Sequence, residues 1–217
     1  MDGLMKENYD RLMMEETGRI LEKAGEGCKP RILLHSCCGP CSTSVIERLT
    51  EYYDITVFFY NPNIDDAEEY ELRKANQIKY IEDRYGKDGR VVFVEGPYDV
   101  ESFRAFGEAM AGEPEGGKRC TLCFGLRLEE AARAAAEGGF DCFATTLTVS
   151  PMKNPEVINA LGLAAGEGQG VKYLVSDFKK RAGYQRSIEL SKEYNLYRQH
   201  YCGCSYGKAF QPQHLEK

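Results

Sequence analysis

The chain has 217 residues, 42% of them hydrophobic and 29% charged, with a formal net charge of −6; that length suits one domain with a substantial core, and the charge argues against non-specific coating of nucleic acid while leaving room for a local basic patch. No apolar run approaches the ~20 residues of a membrane span. Asp2, Lys6, Glu7 and Asp10 stand where a secretory leader would need an apolar stretch, so the expectation is a cytoplasmic protein with no membrane partner.

In chain order, Glu7–Ala24 reads as an amphipathic helix. Five β-rich runs follow: Arg31–His35, Asp54–Tyr60, Arg90–Glu95, Phe140–Thr146 and Lys172–Ser176. Each is nearly continuous in apolar residues, as expected of strands buried on both faces of a parallel sheet. Helical segments alternate with them at Ser42–Tyr52, Asp65–Tyr85, Leu122–Glu137, Pro155–Leu163 and Tyr184–Tyr194. The alternation predicts an α/β fold, a doubly wound and mainly parallel five-stranded sheet of order 3-2-1-4-5. Its switch point falls at the carboxyl ends of strands 1 and 4, where such sheets bind ligands. Gly107–Lys118, rich in Gly and Glu, reads together with Arg119 as a mobile loop and a candidate lid.

Nine cysteines are unusual for a chain with no secretory leader, and seven fall in three clusters. Such thiols serve metal or redox chemistry more often than a disulfide framework. Cys37-Cys38-Gly39-Pro40-Cys41 follows strand 1. Cys38 and Cys41 match a thioredoxin-type pair, whereas Cys37 and Cys38 can both reach a metal. Cys120-Thr121-Leu122-Cys123 sits at a helix start. Together the two clusters offer four soft ligands suited to Zn²⁺ or to an iron–sulfur cluster, and the vicinal pair favours the latter. Cys202-Gly203-Cys204 is too tight for a relaxed disulfide, which suits a redox pair, with extra metal ligands as the alternative. Cys28 and Cys142 read as packing residues.

Other candidates lie at the same sheet edge. Asp177 can bind a metal or a proton. Lys179, Lys180 and Lys153 can face phosphate, and Tyr184 and Arg186 can stack on or pair with a nucleotide. Asn61 and Asn63 can bond a polar ligand, although turn formation explains them as well. His35 reads as a core histidine. The turn after strand 1 holds cysteines in place of a phosphate loop, so ATP binding has no support.

These segments, taken in order, carry a resemblance: His35–Cys41, Tyr60–Ile64, Arg119–Cys123, Thr145–Leu147 with Ser150–Asn154, Asp177–Lys180 with Gly183–Ser187, and Tyr201–Ser205. The chain resembles the cobalamin-independent epoxyqueuosine reductases, the QueH family, from about residue 30 to 208, with the N-terminal helix (1–27) outside the likeness. The resemblance implies an architecture like that of the Rossmann-like nucleotide alpha-hydrolases with a metal site at the carboxyl edge. It implies reductive deoxygenation of epoxyqueuosine to queuosine at the tRNA wobble position. It further implies a [4Fe–4S] cluster on Cys37, Cys38, Cys120 and Cys123, and a redox-active pair, Cys202 and Cys204. An adjacent mononuclear iron is expected, whose ligands we look for among Asp177 and the cysteines; Asp177 is also our candidate catalytic group. The expected partners are tRNA carrying epoxyqueuosine and an external electron donor. Two other readings stay open: a cytosolic thiol–disulfide oxidoreductase on Cys38 and Cys41, and a zinc-stabilised tRNA-binding module.

Overall fold

A computed structural model describes residues 7–209; positions 1–6 of the N-terminal segment, including Asp2 and Lys6, and positions 210–217 lie outside the described residues. Four parallel strands form the sheet: β1 (Arg31–His35), β2 (Asp54–Phe59), β3 (Val91–Glu95) and β4 (Cys142–Thr145), in the order β3-β2-β1-β4. Ile32 lies opposite both Ile55 and Cys142, and Ile55 lies opposite Val91. The helices are α1 (Tyr9–Ala24), α2 (Gly39–Leu49), α3 (Ala67–Tyr85), α4 (Val100–Gly107), α5 (Lys118–Glu137), α6 (Pro155–Gln169), α7 (Gly183–Glu193) and α8 (Ser205–Ala209). Two apolar cores lie along the sheet. One joins Ile32, Leu34, Ile55 and Val57 to Val45, Ile46 and Tyr80. The other joins Leu33, Phe58 and Phe143 to Leu128, Ala131 and Ile158.

The expected fifth strand does not form. Lys172–Ser176 makes a single parallel bridge, Phe143 to Tyr173. The reason lies in Asn159, whose side chain takes the Ser176 N–H at 3.1 Å and donates to the Ser176 carbonyl at 3.0 Å. Those backbone groups are satisfied without a ladder, and β4 itself leaves the sheet in a 3₁₀ turn at Thr146–Val149. β3 also departs from two-sided burial. It is an edge strand, and Val92 and Val94 are each 45% exposed.

Helix boundaries shift where they bear on the thiols. α2 begins at Gly39 rather than Ser42, with Cys38 as its extended N-cap and Pro40 in its first turn. α5 begins at Lys118 rather than Leu122, so Cys120 and Cys123 lie in its first two turns. Asp66 caps α3 by accepting from Glu68 N and Glu69 N. α4 and α8 were not anticipated from the sequence pattern. The Gly-rich 107–119 segment holds a 3₁₀ turn and is tied down by Arg119, whose Nη1 donates to the carbonyls of Met110, Ala111 and Glu113. Among the described residues no helix is long and apolar enough to cross a membrane.

Candidate metal centre

β1 delivers the first thiols. After His35 the chain turns directly into α2, and Gly39 lets that turn press against α3, because a Cβ there would meet Asn76 O at 2.9 Å. Cys37, Cys38 and Cys41 therefore bring their sulfurs within 4.8 Å of one another. Cys37 and Cys38 are buried, and their sulfurs are 3.8 Å apart. Hydrogen bonds from Cys38 and Cys41 hold the Cys37 thiol well below the usual range, against its burial. Burial first, then the hydrogen bond to Cys37, pushes Cys38 up to about 12. Cys41 is pushed up by its bonds to Cys37 and Cys38. A thioredoxin-type pair needs its first cysteine accessible and acidic; Cys38 is neither, so the Cys38–Cys41 oxidoreductase reading loses its basis.

The framework behind the triad is polar, and most of its groups are hydrogen-bonded. His35 Nδ1 accepts from Thr145 Oγ1 at 2.8 Å and Nε2 donates to Tyr60 O at 3.1 Å, which fixes the neutral tautomer with the proton on Nε2. Burial pushes its pKa down to about 3. Thr146 Oγ1 accepts from Cys37 N at 3.4 Å, and Gln199 Nε2 donates to Cys38 Sγ at 2.7 Å.

α5 supplies the second pair. Cys120 Sγ accepts from Gly116 N at 3.2 Å. Cys123 is buried in an apolar cluster with Phe103 and Cys204, and burial pushes its thiol up to about 12. The third pair arrives on a docked arm. Arg73, 1% exposed, is ion-paired to Glu69 and donates to Cys202 O at 3.0 Å and Tyr201 O at 3.2 Å. Asp65 accepts from Ser205 N and Oγ. Cys202 and Cys204 are both free thiols.

A cavity of about 320 Å³ opens onto the triad, lined by Cys37, Cys41, Lys153, Tyr184, Arg198 and Cys202 among others. The structure thus brings together Cys37, Lys153, Tyr184 and Cys202 of the residues anticipated. Burial works against the Lys153 ammonium, but the charges of Cys202, Cys37 and Cys41 outweigh it and hold its proton. Lys153 thus lines the cavity together with these thiols. A larger recess of about 820 Å³ lies at the opposite, amino edge between α1 and the ends of α5 and α6, and no cysteine lines it.

Other expected residues are placed elsewhere. Asp177 pairs with Lys179 at 3.0 Å, and neither it nor Lys179 or Lys180 lines the cavity. Arg186 is committed to Glu47, at 2.8 and 2.9 Å, and to Glu189. Asn61 and Asn63 are each 1% exposed. Asn61 donates to Ser36 O at 2.9 Å and accepts from Arg127 at 3.3 Å, so it braces the thiol turn from behind. Sequence reasoning missed Arg73, Arg127 and Gln199, and gave Thr146 no role of its own within its motif. A basic residue one helical turn beyond Cys123 was the only local sign of Arg127.

The fold and site define a class: a parallel α/β protein with a largely buried thiol triad and two further cysteine pairs at the carboxyl edge of its sheet. A family model described as epoxyqueuosine reductase QueH matches residues 32–209. Epoxyqueuosine reductase QueH of Staphylococcus epidermidis is 46% identical over 92% of this chain and 84% of its own length. That of Streptococcus pyogenes is 43% identical over 97% and 82%, and that of Thermotoga maritima 36% over 80% and 88%. The chain belongs to the epoxyqueuosine reductase QueH family. Among solved structures, the U34-tRNA thiolase NcsA from Methanococcus maripaludis with its [4Fe-4S] cluster shares the fold at a TM-score of 0.51 and 15% identity, over 90% of this chain and 68% of that one.

Proposed function

We propose that this protein reductively deoxygenates epoxyqueuosine to queuosine in tRNA, using an iron–sulfur cluster held at the carboxyl edge of the sheet. The observation that carries the reading is the Cys37–Cys38–Cys41 triad, its first two thiols buried, opening on a cavity shared with Cys202, in a chain of this family. The donor set fits the group. Thiolates are the ligands of iron–sulfur clusters, and Lys153 and Arg127 supply positive charge beside them. Cys37, Cys38, Cys120 and Cys123 would hold a [4Fe–4S] cluster. A mononuclear iron beside it would draw on Cys41, the thiol that this assignment leaves over. When bound, the cluster supplies low-potential electrons.

The remaining work falls to the chain. The reaction converts an epoxide to an alkene with two electrons and two protons, and the oxygen leaves as water. Lys153 carries a proton at the cavity wall, placed to meet the developing oxyanion. Tyr184, 37% exposed with Arg198 5.9 Å from its ring centre, offers a platform on which a base extruded from the anticodon loop can stack. Cys202 is placed at the same cavity as a thiol able to pass electrons onward from an external donor, with Cys204 as its partner.

The test is single-turnover conversion of tRNA bearing epoxyqueuosine by the anaerobically reconstituted chain with dithionite. Loss of one oxygen from the modified nucleoside, read by mass spectrometry, is expected. A cluster-loaded chain that leaves the nucleoside intact contradicts the reading.

A further inference from the structure

Three arginines are buried to 1% exposure or less: Arg73, Arg119 and Arg127. Arg73 meets the Glu69 carboxylate and two carbonyls. Arg119 sets one nitrogen on three carbonyls and lies 5.0 Å from the centre of the Tyr206 ring. Its Nε and Nη2 have no partner, whereas Arg127, wholly buried, makes only two long hydrogen bonds. Its Nε reaches Cys123 O and its Nη1 reaches Asn61 Oδ1, both at 3.3 Å. Its Nη2 is buried with no partner, and no carboxylate pairs with the side chain among the described residues. A fully buried cation without a counter-charge is strongly unfavourable.

The charge facing it is sulfur. Burial works against the guanidinium, and Cys123, Cys202, Cys37 and Cys120, members of all three cysteine clusters, act in its favour. Asn61 is tied through Nδ2 to the Ser36 carbonyl, one residue before Cys37, and through Oδ1 to Arg127. The turn that presents the triad and the arginine that faces it are therefore coupled through one amide.

We propose that Arg127 is the resident counter-cation of the cluster, that its unpartnered Nη2 donates to a cluster sulfur or a ligating thiolate, and that it sets the cluster's reduction potential upward. Asn61 is the positioning residue that aims it. The inference rests on the cluster reading above. An added electron makes the cluster more negative, so a fixed positive charge and an N–H···S bond stabilise the reduced form.

The experiment is an EPR-monitored redox titration of the full-length chain, reconstituted anaerobically, as wild type, Arg127→Lys and Arg127→Met, each with iron and sulfide counted. At a fixed ambient potential, Arg127→Met is expected to lower the reduced-to-oxidised ratio at least tenfold, about 59 mV for a one-electron couple. Arg127→Lys, which keeps the charge but loses the planar donor fork, is expected to fall between. An Arg127→Met protein with wild-type iron, sulfide and potential overturns the proposal. Should that variant fail to fold or load, wild type labelled with ¹⁵N-arginine decides. A ¹⁵N coupling to the reduced cluster in pulsed EPR supports the bond, and its absence overturns it. A wild-type chain that assembles no cluster overturns the functional reading instead, which keeps the two failures distinct.

Discussion

Gly203 has φ +124°, in the region that L side chains rarely adopt, and a Cβ there would stand 2.9 Å from Ile64 and 3.1 Å from the Arg73 guanidinium. The constraint is what lets Cys202 and Cys204 turn back toward α5 while Arg73 grips the carbonyls beside them. Gly203→Ala is therefore expected to displace Cys202 and cost turnover on the order of 10²-fold, the scale of a misplacement of about 1 Å. Iron content should stay at the wild-type level, because neither cysteine belongs to the assigned cluster ligands. Wild-type turnover in that variant would remove the arm from the reaction. At this scale the sequence was legible for thiols, because soft ligands cluster within a few residues of one another. It was less legible for polar side chains. Asn61 and Arg186 look alike as candidates for a nucleotide, yet Arg127 on a distant helix claims the first and Glu47 the second. Contacts separated by 66 and 139 positions leave no local pattern to read.

The three elements that present the site each owe their starting point to local chemistry. Cys38 and Pro40 open α2, Arg119 gathers the carbonyls that precede α5, and Asp66 caps α3. On α3, Asn76 accepts from Tyr197 N, Arg73 donates to the Tyr201 and Cys202 carbonyls, and Glu69 accepts from the Tyr197 hydroxyl. Frayed at its first turn, the helix would loosen Glu69, and through it Arg73. Asp66→Ala is expected to cost about 1 kcal/mol and to lower the melting temperature by about 2–4 °C for a domain of this size, checked by thermal denaturation. No change in melting would mean that tertiary contacts alone hold the turn. The start of α5 escaped the sequence reading because the Gly-rich stretch before Lys118 signals a loop, and the anchor that ends that loop is Arg119 itself, one residue before Cys120. The fifth strand was over-read for the opposite reason. Lys172–Ser176 has strand composition, but composition does not reveal that Asn159 takes the backbone bonds a ladder would need.

For the molecule as a whole, the parallel α/β class and the placement of the site were legible, because buried strands are short apolar runs and the first cysteines directly follow the first of them. Chain topology then places the turn after β1 beside the one after β4, where Thr145 and Thr146 meet His35 and Cys37. The charge balance follows the same division. A chain of net charge −6 places Lys153 and Arg127 beside its thiols, which suits a centre that gains negative charge more than a general grip on phosphates. The claim on which everything else depends is that Cys37, Cys38, Cys120 and Cys123 hold one cluster. Iron and acid-labile sulfide should therefore be counted on the full-length chain after anaerobic reconstitution, alongside its visible spectrum. The account predicts about four sulfides and four cluster irons per chain, with a fifth iron where the mononuclear site fills, and broad thiolate-to-iron absorbance near ~400 nm. A colourless protein that retains only zinc after the same treatment would contradict it.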